Sequence, residues 1–235
     1  MSVARRLAAL AARHDLPPEA VIALERLLEL LRDDPAAPTS VRDPLVAVDA
    51  HVADALAALA LERVRAARRI ADLGAGAGLP GLVLAAARPD AEVALVEANG
   101  RKCAFLAGAV EAMGLANVEV VAARAESWPA GIGSRDLVTA RAVAPLAVLV
   151  EYAAPLLALD GALVAWKGRR DEDEERHGAA AAAATGLELV EVRPVRPWDG
   201  AERLHLHLYV KVASTPNRYP RRPGMASKRP LRASS

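Results

Sequence analysis

The chain has 235 residues, 53% hydrophobic and 25% charged, so it is long enough for one α/β domain with additional elements and leaves little room for two full domains. Its 30 basic and 29 acidic residues leave a formal net charge of +1, so the overall charge does not indicate a nucleic-acid partner and any basic surface has to be local. The single cysteine, Cys103, excludes an intrachain disulfide and favours the cytoplasm. We find no signal peptide and no apolar run approaching the roughly 20 residues of a transmembrane helix.

The N-terminal part of the chain shows helical periodicity. In VIALERLLELL, Leu24, Leu27, Leu28 and Leu31 recur at helical spacing. The pattern resumes in LVAVDAHVADALAALALERV, after a proline-rich break at DDPAAPTSVRDP. We therefore expect residues 1–66 to form a helical extension that packs on the domain that follows.

From Arg69 onward, short β-type runs alternate with helical segments, which is typical of βαβ units around a parallel sheet. Five runs fit buried parallel strands: RIADLG, EVALVE, VEVVAA, RDLVTA and GALVAWKG. Two more, LELVEVRPV and RLHLHLYVKV, flank a short loop at residues 197–200 and predict an antiparallel hairpin. Over residues 67–213 this arrangement predicts an α/β fold with the seven-stranded, Rossmann-like sheet of class I methyltransferases.

Two segments outside this pattern are biased in composition. Residues 214–235 contain four prolines and little apolar content, so we expect a tail that is extended or partly disordered. From Lys211 to the end there are seven Lys or Arg and no acid.

DEDEE, at residues 171–175, precedes an alanine run and favours the start of a structural helix through the helix dipole.

The stretch DLGAGAGLPG, from Asp72 to Gly81, joins the first predicted strand to a helix. Glycines at positions 74, 76, 78 and 81 predict a turn whose backbone a ligand approaches closely. The dinucleotide spacing, with glycine at offsets 0, 2 and 5, is met from Gly76 and not from Gly74. The glycines alone therefore leave a dinucleotide, a phosphate and S-adenosylmethionine open as ligands.

The residues around the turn favour one of these ligands. Asp72 would repel a pyrophosphate and attract the ammonium of S-adenosylmethionine, which carries no phosphate. Glu97 ends the second predicted strand and is placed to accept hydrogen bonds from ribose hydroxyls, a feature that both cofactor classes share. Ala125 and Glu126 follow the third strand, where methyltransferases line the adenine pocket. A nicotinamide-dependent oxidoreductase stays open as the alternative enzyme.

Several motifs in order resemble one family. DLGAGAGLPG, EVALVEANGRKCAFL, AARAESW, ARAVAPL and AWKG resemble the 16S ribosomal RNA guanine-N7 methyltransferase family, also called glucose-inhibited division protein B. The flanking TSVRDP, HVADAL, AERLHLHLYVKV and NRYPRRPGMASKRPL are similar to the same family, so the resemblance covers residues 39–231. The stretch APTS departs from the family's usual NLTS.

The resemblance implies a cytoplasmic enzyme that uses S-adenosylmethionine to methylate N7 of a guanosine in the 16S RNA of the small ribosomal subunit. We expect it to be a monomer. The family's cofactor positions fall on Gly74, Leu79, Ala125, Glu126 and Arg141, and the turn adds Asp72, Gly76, Gly78 and Glu97 as expected cofactor residues. The family's basic positions proposed to meet RNA fall on Arg124, Arg141 and Arg203.

The chemistry of guanine N7 makes a dedicated general base unnecessary, because this nitrogen already carries an exposed lone pair. In agreement, ARAVAPL occupies the place where amino-directed methyltransferases keep an Asn/Asp-Pro-Pro-aromatic segment. The remaining task is positioning, which contributes roughly 7 to 11 kcal/mol in favourable cases. Arg141 is the candidate catalytic residue, holding the cofactor carboxylate or a guanosine phosphate, with a surface ion pair as the alternative.

Further contacts to RNA are expected from basic side chains. The candidates are Lys167 in AWKG and, in the tail, Arg218, Arg221 and Arg222, with Tyr219 as a stacking ring. Aromatic residues make up only 3% of the chain, so we expect recognition by shape and charge.

Other features indicate no separate chemistry. His205 and His207 alternate on one predicted strand, but no Cys or carboxylate cluster accompanies them, so we expect structural roles and no metal. A non-catalytic RNA-binding factor of ribosome assembly is the alternative outside enzymes. The intact set of Asp72, the glycines and Glu97 argues against it.

Overall fold

A computed structural model describes residues 2–233 and contains a seven-stranded sheet. The strands are β1 (Arg69–Leu73), β2 (Glu92–Glu97), β3 (Val118–Ala122), β4 (Arg135–Arg141), β5 (Leu157–Lys167), β6 (Leu187–Val195) and β7 (Leu204–Lys211). Their order across the sheet is β3-β2-β1-β4-β5-β7-β6. Strands β1 to β5 run parallel, and β7 lies antiparallel between β5 and β6. The predicted parallel strands and terminal hairpin are confirmed.

Helices precede the sheet and connect its strands. Those before β1 are α1 (Val3–His14), α2 (Pro18–Asp33), α3 (Pro44–Ala47), α4 (Asp54–Leu56) and α5 (Glu62–Ala66), with a π-helical turn over Val48–Ala53 and a 3-10 turn over Ala57–Ala60. Those after β1 are α6 (Gly81–Ala87), α7 (Gly100–Met113), α8 (Leu146–Ala153), α9 (Glu172–Thr185) and α10 (Met225–Lys228). None of the helices within residues 2–233 is long and apolar enough to cross a membrane.

The helical spacing of the N-terminal leucines produces a buried stripe. Leu24, Leu27, Leu28 and Leu31 of α2 are all buried, and α2 packs on α6 and α7. Complete burial of such a side chain contributes about 1.5 to 3 kcal/mol. The helices that precede β1 therefore share a hydrophobic core with helices of the sheet.

Alternation along the strands supplies two cores, one on each face of the sheet. In β1, Ile70 belongs to the core formed with the N-terminal helices, α6 and α7, whereas Ala71 and Leu73 face the core formed with α8 and α9. This three-layer arrangement leaves the carboxyl ends of the parallel strands as the edge where loops from both faces meet.

The tail differs from the expectation of an extended or partly disordered segment. Tyr219 and Ala226 are buried, and residues 225–228 form α10 against α8. Composition missed this docking because the tail is held by a few specific contacts to α8 and to the loop after β3, and such contacts leave no periodic signal in the sequence.

Candidate active site

The glycine turn lies at the carboxyl end of β1 and is tied to β2. Gly74, Gly76 and Gly78 have φ values of +64°, +59° and +84°, a region that glycine adopts without strain. The amides of Gly74 and Ala75 both donate to the carbonyl of Val96, at 2.8 and 3.2 Å. A Cβ added to Gly76 would meet only the Gly74 carbonyl oxygen, at 3.6 Å, so open space borders this residue. The turn therefore offers the bare backbone that the sequence predicted.

Glu97, at the end of β2, holds this turn from the other side. Its Oε2 accepts from the amide of Gly76 at 3.1 Å, and its Oε1 accepts from the amide of Asn99 at 2.8 Å. Each carboxylate oxygen has a second lone pair, so Glu97 can order the turn and still accept from ligand hydroxyls. The geometry fits the predicted contact to a ribose.

Asp72 differs from the expectation that it would attract a ligand ammonium. Its side chain is buried, with 1% exposure, and both oxygens are used: Oδ1 accepts from Oγ1 of Thr139 at 2.7 Å, and Oδ2 from the amide of Gly81 at 3.0 Å. Burial raises the pKa of Asp72 to about 6 in spite of these hydrogen bonds. Asp72 therefore fixes the turn and the start of α6 from inside the protein and does not face a ligand.

The contact between Asp72 and Gly81 explains the last glycine of the motif. A Cβ on Gly81 would lie 2.4 Å from Cδ2 of Leu95 and 2.8 Å from Oδ2 of Asp72. Gly81 is thus required by packing of the turn. A Cβ on Gly74 would likewise lie 2.8 Å from Cγ2 of Val143, so Gly76 is the one of these three glycines that borders open space. Leu79, a predicted cofactor contact, is buried beneath the same turn.

Arg141, at the end of β4, is anchored by the helices that precede the sheet. Its Nη1 donates to Oδ2 of Asp54 at 2.7 Å and to the carbonyl of Ala50 at 3.0 Å. Asp54 is itself buried, and its carbonyl accepts from Nε1 of Trp166 on β5 at 3.0 Å. The sequence prediction missed Asp54, although HVADAL was among the family-like motifs. The structure brings Arg141 and Asp54 together across 87 residues.

The π-helical turn places a histidine in this anchor. His51 is buried, with its Nε2 3.1 Å from Oγ1 of Thr39 and its Nδ1 without a partner in the described structure. Burial and the Arg141 charge lower the pKa of His51 to about 4, so the imidazole is neutral near pH 7. Such π-helical turns are frequent at functional sites.

The loop after β3 reaches the same edge of the sheet. Ala122 pairs with Glu97 across β3 and β2, and the following residues form a 3-10 turn over Ala125–Ser127. This register brings the start of the loop that carries Ala125 and Glu126 beside the carboxyl end of β2, and their contact with an adenine stays a prediction. The Oε1 of Glu126 accepts from the amide of Gly224 in the tail, at 2.9 Å.

A cavity of about 570 Å³ lies next to these ends of β4 and β5. Its walls come from three parts of the chain: Pro145 and Ala147 after β4, Lys167 with the start of α9, and the tail from Pro230 to Arg232. The cavity borders both ARAVAPL and AWKG, and its size is that of a small-molecule site. Its lining also includes Asp171, Asp173 and Glu174, and its volume is large enough for a nucleobase.

The predicted RNA residues outside the tail lie along this edge. Arg124 follows β3 and is exposed, as is Arg203 immediately before β7. Since β7 is antiparallel, its start adjoins the end of β5, where Lys167 pairs with His205. The Nζ of Lys167 lies 2.5 Å from Oε1 of Glu174, so its charge is already paired within the protein.

Within the tail, the predicted RNA residues separate into two groups. Arg218 and Arg222 are exposed. Arg221 instead forms a two-pronged ion pair with Glu151 of α8, with Nε to Oε1 at 2.6 Å and Nη2 to Oε2 at 2.5 Å. The expectation of a free Arg221 guanidinium for RNA is therefore not met. Tyr219, predicted as a stacking ring, is buried, with the Arg218 guanidinium 5.2 Å from its ring centre.

The remaining candidates have protein partners. Nδ1 of His205 lies 2.9 Å from the carbonyl of Gly168, and Nε2 of His207 lies 3.1 Å from Oε1 of Glu175. Cys103 donates its thiol to the carbonyl of Glu97, at 3.2 Å. Within residues 2–233, no cluster of three or more His, Cys, Asp or Glu has an arrangement suited to a metal ion.

The sheet order, with an antiparallel last strand inserted beside β5, together with a glycine turn after β1 and an acid after β2, defines a class I methyltransferase fold. Solved structures agree. Fibrillarin of Aeropyrum pernix, in complex with bound S-adenosylmethionine, gives a TM-score of 0.52 at 20% identity, covering 67% of this chain and 72% of that one. A 16S rRNA adenine-N1 methyltransferase from Catenulisporales acidiphilia gives 0.51 at 20% identity, covering 66% and 90%.

Sequence comparisons identify the family. The family model described as rRNA small subunit methyltransferase G matches residues 26–198. Relatives named ribosomal RNA small subunit methyltransferase G include proteins of Rubrobacter xylanophilus, 45% identical over 81% of this chain and 76% of that one, and Moorella thermoacetica, 34% identical over 92% of each. The chain therefore belongs to the rRNA small subunit methyltransferase G family.

Proposed function

We propose that this protein transfers a methyl group from S-adenosylmethionine to N7 of a guanosine in 16S ribosomal RNA. The observation that carries the proposal is the glycine turn held by Glu97 at the carboxyl ends of β1 and β2, in a chain that belongs to this family. We further propose that it acts as a cytoplasmic monomer, with residues 1–66 as an extension of a catalytic domain at 67–213 and with 214–235 as the tail.

The residues at this edge fit the nucleoside and amino-acid parts of S-adenosylmethionine. Glu97 has lone pairs left to accept from the ribose hydroxyls, and Gly76 has open space beside its backbone. Ala125 and Glu126, in the loop after β3, would contact the adenine. When bound, S-adenosylmethionine supplies an electrophilic methyl group on its sulfonium. A dinucleotide shares the ribose and adenine contacts, so membership in the methyltransferase family is what favours S-adenosylmethionine over a dinucleotide.

The protein's contribution to the reaction is orientation. Guanine N7 attacks with its own lone pair, so no residue has to remove a proton before transfer. The cavity beside β4 and β5 would receive the base between the apolar Pro145 and Ala147 and the polar start of α9. Holding the two reactants in line contributes roughly 7 to 11 kcal/mol in favourable cases.

Arg141 is the proposed catalytic residue. The described structure uses only its Nη1, on Asp54 and Ala50, which leaves the donors of Nε and Nη2 for a phosphate or a carboxylate. Because the ion pair with Asp54 fixes the guanidinium at the end of β4, these donors are oriented before the substrate arrives. Pre-oriented donors lose less entropy on binding.

The test is methyl transfer to defined ribosomal substrates. Purified protein with labelled S-adenosylmethionine is offered small ribosomal subunits and naked 16S RNA, both from cells that lack the activity. We expect label at a guanosine that reductive, aniline-induced strand cleavage identifies as N7-methylated. Label at another atom, or RNA binding with no transfer, would contradict the proposal. Calorimetry with NAD in place of S-adenosylmethionine tests the oxidoreductase alternative.

A further inference from the structure

The docked tail touches the loop that we assign to the adenine. The amide of Gly224 donates to Oε1 of Glu126 at 2.9 Å, joining residues 98 positions apart. Gly224 has a φ of +79°, which a glycine adopts readily and most other residues avoid. The half-buried Glu126 therefore takes its position from a tail segment with a specific backbone conformation.

Arg221 fixes that tail segment at both ends. Besides its two contacts with Glu151, its Nη2 donates to the carbonyl of Arg229 at 2.9 Å, which closes the segment that carries Gly224. Glu151 is buried in α8, with 1% exposure, whereas the Arg221 side chain is 24% exposed, so the pair is partly shielded from water and salt. Tyr152 adds a hydrogen bond of 2.9 Å to Oγ of Ser227. These contacts anchor the tail to α8 within a few residues of Gly224, whose amide donates to Glu126.

We infer that Arg221 is a positioning residue for the cofactor: its ion pair with Glu151 seats the tail so that Gly224 holds Glu126 in the adenine loop. This inference rests on the proposed function, because that function assigns Glu126 to the S-adenosylmethionine site. Arg221 then acts on cofactor affinity, whereas its exposed neighbour Arg222 acts on RNA. The tail therefore affects both cofactor binding, through Arg221, and RNA binding, through Arg222.

The experiment compares these two arginines in the full chain. Calorimetry without RNA measures the Kd of S-adenosylhomocysteine for Arg221→Ala, Arg221→Lys and the matched control Arg222→Ala. We expect Arg221→Ala to weaken binding about tenfold, the scale of a lost hydrogen bond to a charged group. Arg221→Lys, which retains a charge for Glu151, should recover part of the affinity. Arg222→Ala should bind normally and raise only the KM for RNA.

A second pair of variants tests the same link without removing a charge. A Cβ on Gly224 meets nothing within 4 Å, so substitution there changes only the backbone preference. Gly224→Ala disfavours the observed φ, whereas Gly224→Asn tolerates it better. We expect weaker S-adenosylhomocysteine binding by the alanine variant and affinity close to that of the unsubstituted protein in the asparagine variant. Circular dichroism establishes that each variant is folded.

The outcomes are distinct. Normal S-adenosylhomocysteine binding by folded Arg221→Ala, or equal KM effects of both arginines on RNA alone, would overturn the inference. If Arg221→Ala does not fold, the glycine pair decides, and equal affinities of its two members would overturn it. An unsubstituted protein that binds no S-adenosylhomocysteine would contradict the proposed function itself.

Discussion

Individual buried polar residues fix the geometry of this site through hydrogen bonds. The sequence motifs that contain these residues do not show which partners they bond to. Asp72 is enclosed by Thr139 and Gly81, and Arg141 by Asp54 and Ala50. A buried carboxylate that loses its partner stays in a medium of low polarity, which costs far more than an exposed ion pair contributes. Substitutions in these pairs therefore affect stability as well as activity, and the two effects have to be separated.

The first prediction separates them for Arg141. Arg141→Ala leaves the buried Asp54 carboxylate unpaired, so we expect the free energy of unfolding to fall by about 3 to 5 kcal/mol. The double variant Arg141→Ala with Asp54→Asn removes that charge and should recover most of the stability while methyl transfer stays absent. Urea unfolding and methylation rates measure the two effects. Recovery of turnover in the double variant would show that Arg141 has only a structural role.

The second prediction compares two glycines. An added methyl at Gly81 collides with Leu95 and Asp72, so Gly81→Ala should destabilise the protein by about 1 to 3 kcal/mol and weaken S-adenosylmethionine binding. Gly108 lies inside α7 with nothing within 4 Å of its Cβ position. Gly108→Ala should therefore stabilise by about 0.5 to 1 kcal/mol. Thermal unfolding tests both, and a tolerated Gly81→Ala would contradict the packing role.

At the scale of elements, periodicity in the sequence predicted what is buried but not where the backbone departs from regularity. The strand runs and the helix of α2 follow directly from their apolar patterns. The π-helical turn inside Val48–Ala53 does not, because one extra residue in a turn barely changes the apolar content of HVADAL. The pairing of Arg141 with Asp54 and the docking of Arg221 depend on the tertiary fold. Those were the points at which sequence-based expectations for the site were incomplete or wrong.

The third prediction concerns the π-helical turn and pH. Since the pKa of His51 is lowered from 6.5 to about 4, the folded protein binds fewer protons than the unfolded chain between these values. The contribution of His51 to the free energy of unfolding should therefore fall by about 3 kcal/mol as the pH drops from 6.5 to 4. Asp72, with its raised pKa of about 6, acts in the opposite direction below pH 6.

A comparison of variants isolates the contribution of His51 to the pH dependence of the free energy of unfolding. Urea unfolding of the unsubstituted protein and of His51→Gln is measured at several pH values, and the difference between their free energies removes the contribution of Asp72. We expect this difference to change across pH 6.5 to 4 and to be flat above that range. His205→Gln, on β7, controls for the loss of an imidazole elsewhere. A difference that does not vary with pH would contradict the burial argument.

At the level of the whole molecule, a nearly neutral protein carries a strongly basic tail. The formal net charge is only +1, yet the tail carries Arg218, Arg222, Lys228 and Arg229 without an acid. The docked tail contacts the loop after β3 through Gly224, and its residues Pro230, Leu231 and Arg232 line the cavity. Under the proposed function, the positive charges of the tail attract RNA to this part of the surface.

The last prediction measures that local charge through salt. Each phosphate contact contributes about 0.7 to 0.9 to the slope of log affinity against log salt concentration, because binding releases counterions. Arg222→Ala should therefore reduce the slope for a 16S RNA fragment by about 0.7 to 0.9. Arg221→Ala should leave the slope unchanged, since its guanidinium is already occupied by Glu151. Fluorescence anisotropy over a series of KCl concentrations provides both slopes. Equal reductions for the two variants would mean that Arg221 leaves Glu151 to bind a phosphate when RNA arrives.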